Sequence, residues 1–164
     1  MSKKREILIY GAFILAIIIT VGIIFGNSLK GPEESAEQSD DVVEIVRPVI
    51  DPNNKLTHEE LSFIVRKSGH FVEYTILGIE CAAFAYYIFR KISPMGTATF
   101  ALGGLFTANI DEYIQSFTDR GSKVADVLLD FAGALFGMAV GYALSYLAVY
   151  IFRKIKAKKQ RDEA

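Results

Sequence analysis

Residues 108–130 read ANIDEYIQSFTDRGSKVADVLLD. The stretch lies between two long apolar segments, yet nearly everything in it is charged, polar or small. Asp111, Glu112 and Gln115 open it, Asp119-Arg120-Gly121-Ser122-Lys123 turn it, and Asp126 and Asp130 close it. Charges that run into the ends of membrane helices are costly and are usually functional. The stretch therefore reads as a polar hairpin between two membrane helices, and the rest of the chain is read outward from it.

The chain has 164 residues, of which 51% are hydrophobic, enough for one small membrane bundle in a single domain. Cys81 is the only cysteine and sits within an apolar run, which excludes disulfides, CxxC redox chemistry and thiolate zinc sites. Tryptophan is absent, so interfacial anchoring falls to tyrosine and phenylalanine. No internal repeat or low-complexity tract is evident.

Four apolar segments are expected to span a membrane, at about 7–25, 67–89, 97–114 and 124–152. The first, ILIYGAFILAIIITVGIIF, follows Lys3, Lys4 and Arg5. A signal peptide also has a basic start, but its apolar region is usually only about 7–15 residues and ends at a small-residue cleavage site. This run is longer and ends in Phe-Gly-Asn-Ser, so a retained helix is the better reading. Residues 26–62 form a polar outer loop, acidic at Glu33, Glu34, Glu37, Asp40, Asp41 and Glu44. Within it Val42, Ile45, Val46 and Val49 recur at helical spacing, which predicts a short amphipathic helix on the membrane or over the bundle. Ser35 and Gln38 have capping-box spacing, and Pro48 is expected to help end that helix. Thr57-His58-Glu59-Glu60 is a second capping-box match and starts the next helix, which Arg90-Lys91 stops.

Orientation follows the Lys/Arg asymmetry of segments near helix ends. Four spans put Lys3, Lys4, Arg5, Arg90, Lys91 and the basic tail of residues 153–164 on one side, expected to be cytoplasmic. The acidic loop and the opening stretch then face outward.

Three helices bring polar groups to that outer end. Lys67, His70 and Tyr74 share a face of the second helix, with Glu73 beside it. Asp111, Glu112 and Gln115 lie within one turn of the third, Asp126 and Asp130 are one turn apart on the fourth, and Arg120 comes from the turn between. Below each polar group the same face carries small residues: Gly78, Ala82 and Ala85; Ala108, Gly104 and Ala101; Gly133, Gly137, Gly141 and Ser145. Small residues let membrane helices approach closely. The pattern predicts a tight inner bundle under a charged outer pocket.

Several chemistries fit such a pocket. Carboxylates beside a histidine permit acid–base catalysis, because crowding and burial push carboxylate pKa values apart. His70 with Asp111, Glu112, Asp126 and Asp130 also offers metal-ligand types, but no HxxxH or HExxH spacing supports a metal, and no metal or cofactor is expected. A serine nucleophile has no GxSxG context. Lys67, Arg66, Arg120 and Lys123 against the acids would make a structural network or bind a charged headgroup. Glu80, near mid-helix, is expected to face a neighbouring helix, and His58 to be exposed.

Taken together, the blocks Lys67-x-x-His70-Phe71-x-x-Tyr74-x-x-Leu77-Gly78, Asp111-Glu112-x-x-Gln115-x-Phe117 and Asp126-x-x-x-Asp130-x-x-Gly133-x-x-x-Gly137 resemble the VanZ-like family of small multi-pass membrane proteins. The Asn27-Ser28 exit of the first helix and the serines at 35 and 39 are similar too. Asp130 stands where that family more usually has asparagine, and Arg120-Gly121 is a compact form of its Pro-Gly-Arg type turn. The resemblance implies an all-α bundle of four transmembrane helices, one VanZ-like domain over residues 1–164, in the bacterial cell membrane. It implies an envelope role associated with teicoplanin resistance, and no particular reaction. The expected partners are the lipid bilayer and an envelope lipid or lipoglycopeptide, with no nucleic acid. Alternatives are an enzyme acting on a lipid-linked envelope substrate, with His70 or Glu112 as acid or base, and a small transporter or accessory subunit.

Overall fold

A computed structural model describes residues 2–118 and 123–162. Five helices make up its regular structure: α1 (Lys3–Ser28), α2 (Pro32–Ile50), α3 (His58–Phe89), α4 (Pro94–Gln115) and α5 (Val124–Asp162). There is no strand among the described residues. Arg120, with Asp119, Gly121 and Ser122, lies outside them.

Local chemistry sets most helix ends. Thr57 and Glu60 form the capping box read from the sequence: the Thr57 hydroxyl accepts from the Glu60 amide at 3.2 Å, and Glu60 accepts from the Thr57 amide at 2.8 Å. α3 ends at Arg90, whose φ of 58° is left-handed. Ser93 caps α4 ahead of Pro94, where a missing N–H costs nothing. α2 departs from the expected boundaries. It starts at Pro32 behind Gly31, so Ser35 is an interior residue and not a cap. It also runs through Pro48 to Ile50, because the proline lies in the last turn and forfeits a single backbone bond there. Asp51 then closes the connection, accepting from the Lys55 and Leu56 amides at 2.8 and 2.9 Å.

Side-chain contacts give the helix directions. Tyr10 meets Phe84 and Tyr87, Thr20 donates to Glu80 at 3.0 Å, and Asn27 donates to Glu73 at 2.6 Å. α1 therefore runs antiparallel to α3. Along α3 and α5 the pairs advance together: Lys67 with Asp126, Phe71 with Gly133, Thr75 with Gly137, Ile79 with Gly141. These two helices are parallel and in close contact. A Cβ at Gly137 would overlap the Thr75 carbonyl, and one at Gly78 the Ala134 carbonyl, so the two backbones touch where only glycine fits. α4 runs antiparallel to both and packs beside their seam, with Thr97 bonded to Tyr142 at one end and Gly104 against Ala134 midway.

Ile24, Tyr74, Leu77, Cys81, Ala108 and Ala134 form the core near the polar end, and Ala82, Ala85, Met138 and Tyr142 continue it. Much of the aliphatic bulk points the other way: Ile7, Leu8, Leu15, Ile18, Leu102, Phe106 and Leu128 are all exposed. Such a surface is unfavourable in water and neutral against lipid tails. α1, α3 and α5 are long and apolar enough to cross a membrane, which marks a membrane protein. α4 is not among them, since Thr97, Thr99, Thr107, Asn109, Asp111 and Glu112 dilute its apolar character.

α2 packs along α3 at this end of the bundle. Its inward face is Ser35, Ser39 and Val43, all buried. The stripe that betrays it in the sequence points away from the bundle, with Val42, Ile45 and Val49 exposed. Serines are small and polar, which suits a helix packed beside a polar stretch of α3. The Ser39 hydroxyl returns to the Ser35 carbonyl at 2.8 Å.

Candidate functional site

The polar residues gather at the end of the bundle where α2 packs against α3. On α3, Lys67 reaches Asp126 on α5 at 2.5 Å, and its ammonium also lies over the Phe63 ring. One turn deeper, His70 Nδ1 is 3.7 Å from Asp111 Oδ2 on α4 and 3.9 Å from Asp130 Oδ1 on α5. Asp111 and Asp130 are 0% and 1% exposed, so both carboxyl groups stand in a low-dielectric interior. Buried charges are paired or coordinate metals, because desolvating a lone ion is prohibitive.

The last turn of α1 supplies groups the sequence reading leaves out of the site. The Ser28 hydroxyl donates to Asp111 Oδ1. Gln115 Nε2 donates to Asp111 Oδ2 at 3.1 Å and to the Ser28 hydroxyl at 3.3 Å. The three side chains form a closed network, all of it buried. Asn27, next to Ser28, holds Glu73 and is itself held by Lys30 at 2.9 Å. The signal available in the sequence was the Asn-Ser pair straight after an apolar run.

The remaining named residues take separate positions. Glu112 is buried, with Oε2 accepting the Lys123 amide at 2.8 Å and Oε1 without a hydrogen-bond partner among the described residues. The Tyr74 hydroxyl is fully buried and likewise without one. Arg120 is outside the described residues. Away from this end, Glu80 faces α1 through Thr20, and exposed His58 pairs with Asp40 at 2.8 Å.

A cavity of about 150 Å³ opens beside the cluster. Its walls come from α1 (Asn27), α2 (Ser35, Gln38, Ser39) and α3 (Val65, Arg66, Gly69, His70, Glu73). Its opening thus lies on the α1–α2–α3 side, while α3, α4 and α5 close upon one another behind it. Arg66 is half-buried in this wall and has no ion-pair partner among the described residues. His70 is the residue shared by the cavity and the buried carboxylates.

The family model described as VanZ/LLP1 matches residues 13–151. The chain belongs to the VanZ/LLP1 family. No curated protein and no solved structure matches it. The matched span of this VanZ/LLP1 chain takes in α1 from Phe13, all of α2, α3 and α4, and α5 to Ile151, so every residue of the polar end lies inside it. The first residues of α1 and the basic tail fall outside.

Proposed function

We propose that this VanZ/LLP1 protein binds the phosphate-bearing headgroup of an envelope lipid at the outer face of the bacterial cell membrane, and thereby alters susceptibility to lipid-tailed glycopeptides such as teicoplanin. The observation that carries the reading is Arg66, half-buried in the cavity wall with no carboxylate paired to it among the described residues. A guanidinium is suited to phosphate oxygens because its fork of donors matches them. Asn27, Ser35, Gln38 and Ser39 add neutral hydrogen-bonding groups.

In this reading α4 completes a fourth span. Its 22 residues reach about 33 Å, and its polar groups Asp111, Glu112 and Gln115 are buried against the bundle. Lys3, Lys4, Arg5, Arg90, Lys91 and the basic tail then share the cytoplasmic side, in keeping with the positive-inside tendency. The apolar stripe of α2 rests in the outer interface beside the cavity mouth, where a lipid enters sideways.

The test is retention of lipid by the purified chain. Wild type should carry phosphatidylglycerol or phosphatidylethanolamine through detergent purification, detected by native mass spectrometry. Arg66→Gln should lose it and lose any teicoplanin protection, at equal membrane abundance. Equal lipid retention by Arg66→Gln sinks the reading. Teicoplanin bound directly by lipid-free protein would assign the cavity to the drug. His70 between two buried carboxylates favours a second reading, a membrane enzyme using acid–base chemistry on a lipid-linked substrate. Labelled envelope lipids returned chemically altered would decide for it.

A further inference from the structure

Three helices each place one metal-ligating atom at the polar end of the bundle: His70 Nδ1 from α3, Asp111 Oδ2 from α4 and Asp130 Oδ1 from α5. The histidine nitrogen is 3.7 and 3.9 Å from the two oxygens, and all three atoms lie within 4.8 Å of one another. We infer that His70, Asp111 and Asp130 hold a divalent transition-metal cation of the zinc or manganese type.

The spacing suits such an ion. Zinc-to-donor bonds of about 2.0–2.2 Å put neighbouring donors roughly 3–3.5 Å apart. The observed separations exceed that by amounts a small side-chain rotation closes. One imidazole with two carboxylates is a mixed donor set, and imidazole favours zinc while carboxylates favour manganese. Alkali ions and magnesium are poor matches, because magnesium prefers an all-oxygen shell and keeps its water.

A second observation points to a cation independently of those distances. Asp130 is 1% exposed, and its other oxygen, Oδ2, has no hydrogen-bond partner among the described residues. A carboxylate with a bare buried oxygen is the expense that a metal removes, by accepting both oxygens or polarising one. A protonated His70 between the aspartates would leave Oδ2 as it is. The arrangement around Asp111 is that of an oriented ligand. Ser28 and Gln115 fix one donor on each of its oxygens, and hydrogen bonds of this kind orient ligating carboxylates. His70 also lines the cavity, which gives an ion a way in.

The site does not depend on the headgroup reading, and the experiment separates the two. Full-length protein in detergent is stripped with a chelator, dialysed against Zn²⁺ or Mn²⁺, and its metal content measured. Wild type, His58→Asn and Arg66→Gln should each bind one equivalent, the second because the exposed His58–Asp40 pair is not the site. Asp130→Asn keeps the shape and removes the charge, and should weaken binding by more than about 10-fold, since even outer-shell losses cost about 10–100-fold. No binding in wild type, binding abolished by His58→Asn, or unchanged binding in folded Asp130→Asn overturns the site. Should Asp130→Asn fail to fold, Co²⁺ decides. Ligand-field absorption in wild type that persists in His58→Asn supports the site, and a silent spectrum overturns it.

Discussion

Ser28, in the last turn of α1, donates its hydroxyl to Asp111, a fully buried carboxylate on α4. The bond joins two residues 83 positions apart in sequence. Removing the hydroxyl leaves a buried charge short of a donor, which costs about 1–3 kcal/mol. Ser28→Ala should therefore lower the thermal unfolding midpoint in detergent. Ser28→Ala combined with Gln115→Ala should be non-additive, because both donors serve one carboxylate and each other. Strict additivity of the midpoints would show that the network is not a unit.

Lys67 on α3 and Asp126 on α5 make an ion pair at 2.5 Å, with 23% and 16% of their side-chain surfaces exposed. Partial burial places it between a surface pair and a buried one. A double-mutant cycle with Lys67→Met and Asp126→Asn should return a favourable coupling of about 0.5–3 kcal/mol. High salt should weaken it only modestly, because Lys67 is also covered by Phe63. A coupling energy of zero would reduce the pair to a surface contact.

The α3–α5 seam depends on the absence of a side chain at Gly137, where a Cβ would strike the Thr75 carbonyl. A backbone cannot give way as a flexible side chain does. Gly137→Val should separate the helices and cost more than the 1–3 kcal/mol typical of overpacking. Gly103→Ala is the control, since nothing lies within 4 Å of its added Cβ. Folded yield after purification should collapse for the first and hold for the second. Equal yields would mean that α3 and α5 do not touch there.

Asp51 gives a pH prediction outside the spans. The Leu56 and Lys55 amides, with help from Arg47, hold its carboxyl below the ordinary value of 3.8. A depressed folded-state pKa means the ionised form favours the closed α2–α3 connection. That contribution is complete above 3.8 and is lost as pH falls through the lowered pKa. Hydrogen exchange at Lys55 and Leu56 should stay protected, relative to intrinsic rates, at pH 5 and open in more acidic solution. Asp51→Asn should abolish that dependence. An unchanged profile in the variant would remove Asp51 as its cause.

Much of the architecture was legible in the sequence because membrane helices announce themselves locally. An unbroken apolar run, a Thr57–Glu60 capping box and a Pro94 start each act within a few residues. The boundaries of α2 were less so. Its apolar stripe fits a helix, but the face that packs is Ser35, Ser39 and Val43. Near lipid, apolarity does not say which side is inside, because lipid and core are equally apolar.

The polar end follows the same division. Residue type and helical spacing by themselves determined that Lys67, His70 and Tyr74 share a face, and that Asp126 and Asp130 are one turn apart. Only the tertiary structure decided that Lys67 takes Asp126 and leaves Asp130 to His70, and that α1 brings Ser28 to Asp111. A helix period fixes neighbours along one chain segment. It says nothing about the depth at which parallel α3 and α5 register, and that register is set by glycine backbones meeting carbonyls. The sequence offered His70 with four acids and no way to choose among them: the three atoms that come together belong to three helices, and no spacing in the chain connects them.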